Sequence, residues 1–179
     1  MSDEHELLAR ARRFDQDALG RIHDEYYGPL FRYALYRTGD PETAKDIASD
    51  VLMRLLEGLR AGTGPTATLS GWLFGVAARV VSDHFRHAYR APQAELSDAL
   101  ADPHATPTSL TVAALQREEL RQAVATLTEE QQHVIALRFG QDLPLQQVAR
   151  MMGKTEGAVK QLQARAVAAL ARKMKRDAR

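Results

Sequence analysis

The chain has 179 residues, 45% of them apolar and 26% charged, with a formal net charge of +1; that is the composition of one ordinary soluble domain or two small ones able to bury a core. It has no cysteine, which excludes disulfides, thiol nucleophiles and Cys-ligated zinc or iron–sulfur centres. No stretch approaches the roughly 18 uninterrupted apolar residues of a membrane span, and the N-terminal MSDEHELLARARR lacks the apolar run of a secretion signal, so a cytoplasmic protein without membrane insertion is expected.

Strand signals are nearly absent and helical periodicity runs throughout. Phe14, Ala18, Ile22 and Tyr26 lie four apart and predict one helix face, which Gly28-Pro29 should kink or break. Leu30, Phe31, Ala34 and Leu35 carry the pattern on to Gly39. Asp40-Pro41-Glu42 reads as a helix start, with a capping Asp, Pro at the first helical position and an acid against the dipole. That helix turns Ala44, Ile47, Val51 and Leu55 inward and is expected to run to about Arg60. A loop follows at 61–68, and Ser70 is the expected cap of a helix holding Trp72, Val76, Val80 and Phe85 and fading near Arg90.

Residues 91–110 hold three Pro and no Lys or Arg, the composition of a flexible tether. Helical signal resumes with Leu115, Leu120 and Val124. Thr128-Glu129-Glu130-Gln131 is a capping box for a helix with Val134, Ile135 and Leu137 that stops at Gly140. Pro144 opens a short helix at 145–152, Gly153 ends it, and Thr155 caps a last helix carrying Val159, Leu162, Ala166 and Leu170. The fold class is therefore all-α, in two small helical domains, 1–90 and 112–179, joined by a flexible linker at 91–111.

Charge is distributed unevenly. Residues 1–90 are net −1, 91–115 are net −3, and 116–179, with 12 bases against 7 acids, are net +5. A basic C-terminal part behind an acidic connector is compatible with nucleic-acid contact, although charge alone favours a solvated helical surface. Within it, LPLQQVARMMGKTEGAVKQLQARAVAAL (143–170) has the short helix, Gly-containing turn and capped second helix of a helix-turn-helix. With Val159 inward, Lys160, Gln161, Ala164 and Arg165 fall outward, where base edges and phosphates would lie. On the helix after Asp40, Asp46, Ser49, Asp50, Met53 and Glu57 share the outward face opposite Val51; helix geometry by itself favours an ordinary solvated face, and the functional alternative is an acidic docking surface for a basic partner, with Met53 as its apolar contact. GWLFGVAARVVSDHFRHAYR (71–90) mixes Trp72 and Phe74 with Arg79, Arg86, His87 and Arg90, a mixture that suits single-stranded nucleic acid; the alternative is that Trp72, Val76, Val80 and Phe85 are core and the bases solvated, and Trp72 reads better as core. Catalysis is not indicated. Ser82-Asp83-His84 are consecutive on a helix and point apart, only His84 and His87 have metal-ligand spacing and no third ligand is evident, and no phosphate-binding glycine motif occurs.

These features, in this order, resemble the extracytoplasmic-function group of bacterial RNA polymerase sigma factors over about residues 15–175. DPETAKDIASDVLMRLLEGL (40–59) is similar to the family's polymerase-binding helix, WLFGVAARVVSDHFR (72–86) to its promoter-melting helix, and residues 127–170 to its helix-turn-helix. The resemblance implies that Asp46, Ser49, Asp50 and Met53 meet the beta-prime clamp of core polymerase, where Ser49 stands in place of a customary Gln. It implies that Arg79, Asp83, Arg86 and Arg90 meet the minus-ten element, Arg79 standing in place of a customary Asn. Lys154, Thr155, Lys160, Gln161, Ala164 and Arg165 would then read the minus-thirty-five duplex. The implied partners are core RNA polymerase (beta-prime clamp and beta flap), promoter DNA and an anti-sigma factor, with no cofactor, no metal and no catalysis. The free chain is expected to be a monomer. The competing reading is a stand-alone helix-turn-helix transcriptional regulator, which would have no use for 40–59 and 72–86.

Overall fold

The computed structural model describes residues 2–90 and 109–177; most of the expected linker, 91–108, lies outside the described residues. All regular structure within them is helical: α1 (Ser2–Ala11), α2 (Gln16–Thr38), α3 (Pro41–Ala61), α4 (Leu69–Arg90), α5 (Ser109–Ala125), α6 (Glu129–Ile135), a π-turn (Ala136–Gly140), α7 (Leu145–Met152) and α8 (Glu156–Asp177). The all-α class with a C-terminal helix-turn-helix is what the sequence predicts.

The N-terminal four helices depart from expectation in four places. α1 has no counterpart among the predicted elements; its Leu7, Leu8 and Ala11 are buried in the core. Phe14 is not on the inward face: it sits between helices at φ 57°, 38% exposed, with the Arg60 guanidinium over its ring. Asp15 caps α2 instead, accepting from the Ala18 N–H at 3.0 Å while Arg10 grips its carboxylate. α2 also runs unbroken through Gly28-Pro29. An interior Pro costs about 3 kcal/mol, and burial of Ala18 and Ile22 before it and of Leu30, Tyr33 and Ala34 after it offsets that cost by holding both halves in place. At the start of α4 the cap is Thr68, whose hydroxyl accepts from Gly71 N at 3.1 Å; Ser70 lies inside the helix and donates its N–H to Glu4 of α1. α3 starts as predicted, with Asp40 accepting from Thr43 N at 2.8 Å and Pro41 in the first turn.

In the C-terminal segment the capping box is complete: Gln131 N donates to Thr128 Oγ1 and the Gln131 side chain accepts from Thr128 N. Gly153 ends α7 at φ 62°, and Thr155 accepts from Ala158 N. The residues of this segment do not build a core of their own alone. Val134, Ala136, Leu137, Val148, Ala149, Met151 and Val159 join one buried apolar cluster with Leu30, Tyr33, Leu69, Leu73 and Phe74 of the N-terminal helices. A smaller cluster of Val124, Leu127, Ile135 and Ala166 holds α5, α6 and α8 together.

A buried polar group crosses this seam. Tyr33 is fully buried, edge-on to both Phe74 and His133. Arg37 donates to the Tyr33 hydroxyl at 3.3 Å, and that hydroxyl in turn lies 2.7 Å from Nδ1 of His133. Because the hydroxyl accepts from a guanidinium, its own proton is left for a neutral imidazole. Burial, with the Arg37 charge adding and Glu130 opposing, lowers the His133 pKa to about 4. Between pH 6.5 and 4 the unfolded chain therefore binds the proton that the folded chain refuses, and stability falls as pH falls. Moving from pH 7 to 5 should cost about 2 kcal/mol through this residue. Urea unfolding of the wild type and of His133→Gln at both pH values checks it; equal pH dependence in the two would contradict the assignment.

Candidate polymerase and nucleic-acid surfaces

α3 presents one apolar stripe to the core, Ala44, Ile47, Ala48, Val51, Leu55 and Leu59, so the residues between are forced outward. Asp46, Ser49 and Met53 are exposed and Asp50 is half-buried. Met53 is 56% exposed and adjoins Leu56, also exposed. Leu56 sits three residues on from Met53, and its apolar character on an outward position is a signal that a charge-led reading of this face leaves out. Asp50 is not bare: Arg54 donates Nε to both carboxylate oxygens at 3.1 Å. The carboxylate raises the Arg54 pKa, chiefly by that hydrogen bond. The face is thus an acidic rim with one internal cation around two apolar side chains.

On α4, Trp72 is half-buried against the core, in agreement with the reading of it as core. Arg79 and Arg86 are exposed and Asp83 half-buried. Arg86 pairs with Asp83 at 2.5 Å, and Arg79 bends back to the Gly75 carbonyl at 3.3 Å. Asp83 also adds, after the Asp50 hydrogen bond and charge, to the field raising Arg54. Arg90 ends α4. The Ser82-Asp83-His84 run forms no relay: Ser82 is buried, Asp83 faces Arg86, and His84 is exposed with its ring against Phe85.

The helix-turn-helix is built by α7, the Gly153-Lys154-Thr155 turn and α8. Val159 and Ala166 are fully buried and Leu162 half-buried, while Lys160, Gln161, Ala164 and Arg165 are exposed; the outward set is the one that the 100° step predicts. The two turn residues stand apart from it. Lys154 is held by Glu130 of α6 at 2.8 Å, and the Thr155 hydroxyl is occupied by its capping bond. Arg138 fixes the π-turn to α8 through Gln163 at 3.2 Å and also donates to the Leu143 carbonyl. Beyond Arg165 the exposed Arg172, Lys175 and Arg176 extend the basic character of α8. Among the described residues no group of three or more His, Asp or Glu is placed to hold a metal ion, and no helix is long and apolar enough to cross a membrane.

The chain matches two family patterns, Sigma-70 region 2 over residues 22–91 and Sigma-70 region 4 over residues 123–172. It is 37% identical over 177 residues to the ECF RNA polymerase sigma factor BldN of Streptomyces coelicolor, covering 97% of this chain and 67% of that protein. In fold it is similar to CnrH, solved in complex with the cytosolic domain of CnrY, with a TM-score of 0.64 at 20% identity over 97% of this chain and 98% of that one. It is also similar to RpoE of Bartonella quintana, solved with the anti-sigma factor NepR, with a TM-score of 0.55 at 19% identity over 87% and 96% of the two chains.

Proposed function

The chain belongs to the extracytoplasmic-function RNA polymerase sigma factors, which direct transcription initiation, and from that premise we propose how its surfaces divide the task. Asp46, Ser49, Asp50 and Met53, with Leu56 beside them, dock on the beta-prime clamp of core polymerase. Arg79, Asp83, Arg86 and Arg90 meet the minus-ten element. Lys160, Gln161, Ala164 and Arg165 read the minus-thirty-five duplex, while Lys154 and Thr155 set the turn that aims them, and the segment around α5 and α6 meets the beta flap. The chain catalyses nothing itself and works in the cytoplasm, a monomer until it joins polymerase. An anti-sigma factor is its proposed regulator, as in the RpoE–NepR complex.

The observation that supports this division best is the coexistence of the two outward faces. A basic recognition surface on α8 would serve any regulator, but an exposed acidic–apolar face on α3 has no task in a protein that binds its operator alone. Run-off transcription with core polymerase and candidate promoters, with and without the chain, tests the proposal. Promoter-dependent transcripts only in its presence are expected; tight dimeric binding of the chain alone to one duplex, with no effect on polymerase, would favour the stand-alone regulator.

A further inference from the structure

Arg37 is 4% exposed, yet no carboxylate pairs with it among the described residues. Its two hydrogen bonds go to neutral groups, the Tyr33 hydroxyl at 3.3 Å and the Gln132 side chain. A guanidinium carries five N–H donors, so more than half of its capacity is unspent. Charged side chains are almost never fully buried without a partner. Removing a charge from water is costly unless an opposite charge and hydrogen bonds offset it. Arg37 thus leaves one buried positive charge without an answer from the chain itself.

That charge lines a cavity of about 570 Å³, within the range of roughly 300–1,000 Å³ usual for small-molecule sites. Phe85 of α4 and Val124 and Ala125 of α5 give it apolar walls. Ser82 lines it as well; the residue is 8% exposed, and its hydroxyl takes part in no hydrogen bond among the described residues. A buried hydroxyl without a partner is itself unfavourable, so two polar groups on this wall lack partners. The other charges at the cavity do not answer Arg37. Arg86 and Arg121 are cations already paired with Asp83 and Glu118. Glu129 is exposed, where solvent and salt screen its carboxylate, and it forms no ion pair with Arg37 among the described residues.

We propose that this cavity is a binding site for a small monoanion with an apolar body, a carboxylic acid of the medium-chain acyl or aryl kind. Its carboxylate takes the uncommitted N–H groups of Arg37, whose planar fork matches two carboxylate oxygens, with the Ser82 hydroxyl as a further donor. Its chain or ring lies against Phe85 and Val124, where burial of apolar area adds affinity. A phosphate dianion suits the site less, because only one positive charge is uncompensated and Glu129 lines the same cavity. Arg37, Ser82 and Phe85 belong to none of the polymerase or DNA surfaces proposed above, so the site goes beyond that reading and does not depend on it.

Octanoate is the probe, titrated calorimetrically into the full chain, with acetate and 1-octanol for comparison. Octanoate should fill one saturable site per chain. 1-Octanol, which lacks the charge, should bind at least about tenfold more weakly, as the loss of a hydrogen bond to a charged group implies. Acetate, which lacks the apolar body, should also bind at least about tenfold more weakly. Arg37→Gln should weaken octanoate by a similar factor and leave 1-octanol unchanged. Ala125→Trp, at an exposed position on the cavity wall, should abolish binding of both, and it decides the matter if Arg37→Gln loses helical content. Equal affinity for octanoate and 1-octanol would overturn the anion assignment, and equal affinity for octanoate and acetate the apolar one. Octanoate binding untouched by either variant would overturn the site, as would its absence from the wild type. Binding that appears only after Glu95→Gln, Asp98→Asn and Asp102→Asn would overturn it in favour of the connector's own carboxylates.

Discussion

The double substitution Asp46→Arg, Asp50→Arg should reduce affinity for core polymerase at least about a hundredfold, roughly 2.7 kcal/mol, while moving the thermal midpoint by only a few degrees. Both positions are on the solvent side of α3, opposite Val51. Close charge pairs across an interface couple by about 1.5–7 kcal/mol, so reversing two carboxylates against a basic partner replaces attraction by repulsion twice. The cost to the fold is small because neither side chain is core. Asp50 does lose its pair with Arg54, but with side chains 50% and 41% exposed such a helix pair is worth about 0.3–0.5 kcal/mol. The guanidinium introduced at position 50 also faces Arg54, a like-charge i,i+4 contact of similar size. Polymerase binding by surface-bound core and unfolding by circular dichroism separate the two effects. A folded double variant that still binds core would remove this face from the polymerase contact.

What the sequence made legible was local. Asp40-Pro41, the Thr128–Gln131 box, Gly153 and Thr155 each satisfy backbone groups within one turn, so their residue types announce the helix ends. The outward sets on α3 and α8 followed from the 100° step because one anchor, Val51 or Val159, fixes a helix's phase. The errors came where a neighbour decided the outcome. Phe14 has the right spacing to continue α2 but falls beyond the Asp15 cap, and Arg60 covers it. Ser70 is a good capping residue, yet Thr68 holds that position and leaves the Ser70 N–H to Glu4, sixty-six residues away. The packing between segments was the least legible of all. Val134, Leu137, Val148 and Leu30 have the pattern of core residues, and a pattern does not say whose core they enter. A Cβ on Gly140 would lie 3.0 Å from the Tyr36 ring, a close approach across the seam that no spacing encodes, whereas one on Gly71 would meet its own helix cap, the Thr68 hydroxyl, at 2.6 Å before the Met151 carbonyl at 2.9 Å. Among the candidate site residues, Lys154 reads in sequence as one more cation beside DNA. Its salt bridge to Glu130 depends on how α6 crosses the turn, which no spacing encodes.

That difference between Lys154 and the rest of the basic surface gives the second large effect. Replacing Lys160 and Arg165 together by Ala should weaken holoenzyme binding to a promoter duplex by about 2–6 kcal/mol if both read bases, each contributing about 1–3 kcal/mol, and should relax selectivity at the positions they touch. Both side chains are exposed, and Ala is the best helix former, so α8 itself is not weakened. If either cation meets only phosphate, its loss lowers affinity for every sequence alike and reduces the salt slope by about one. Lys154→Ala should do markedly less to DNA affinity, because its ammonium is already partnered at 2.8 Å by Glu130 and its removal returns that carboxylate to solvent. Salt-titrated binding of holoenzymes carrying the wild-type chain, the double variant and Lys154→Ala to matched and mutated duplexes orders the three. Selectivity unchanged in a folded Lys160→Ala, Arg165→Ala chain would refute the recognition role. A Lys154→Ala loss as large as that of the double variant would instead place the DNA contact at the turn, with Glu130 holding Lys154 only until DNA displaces it.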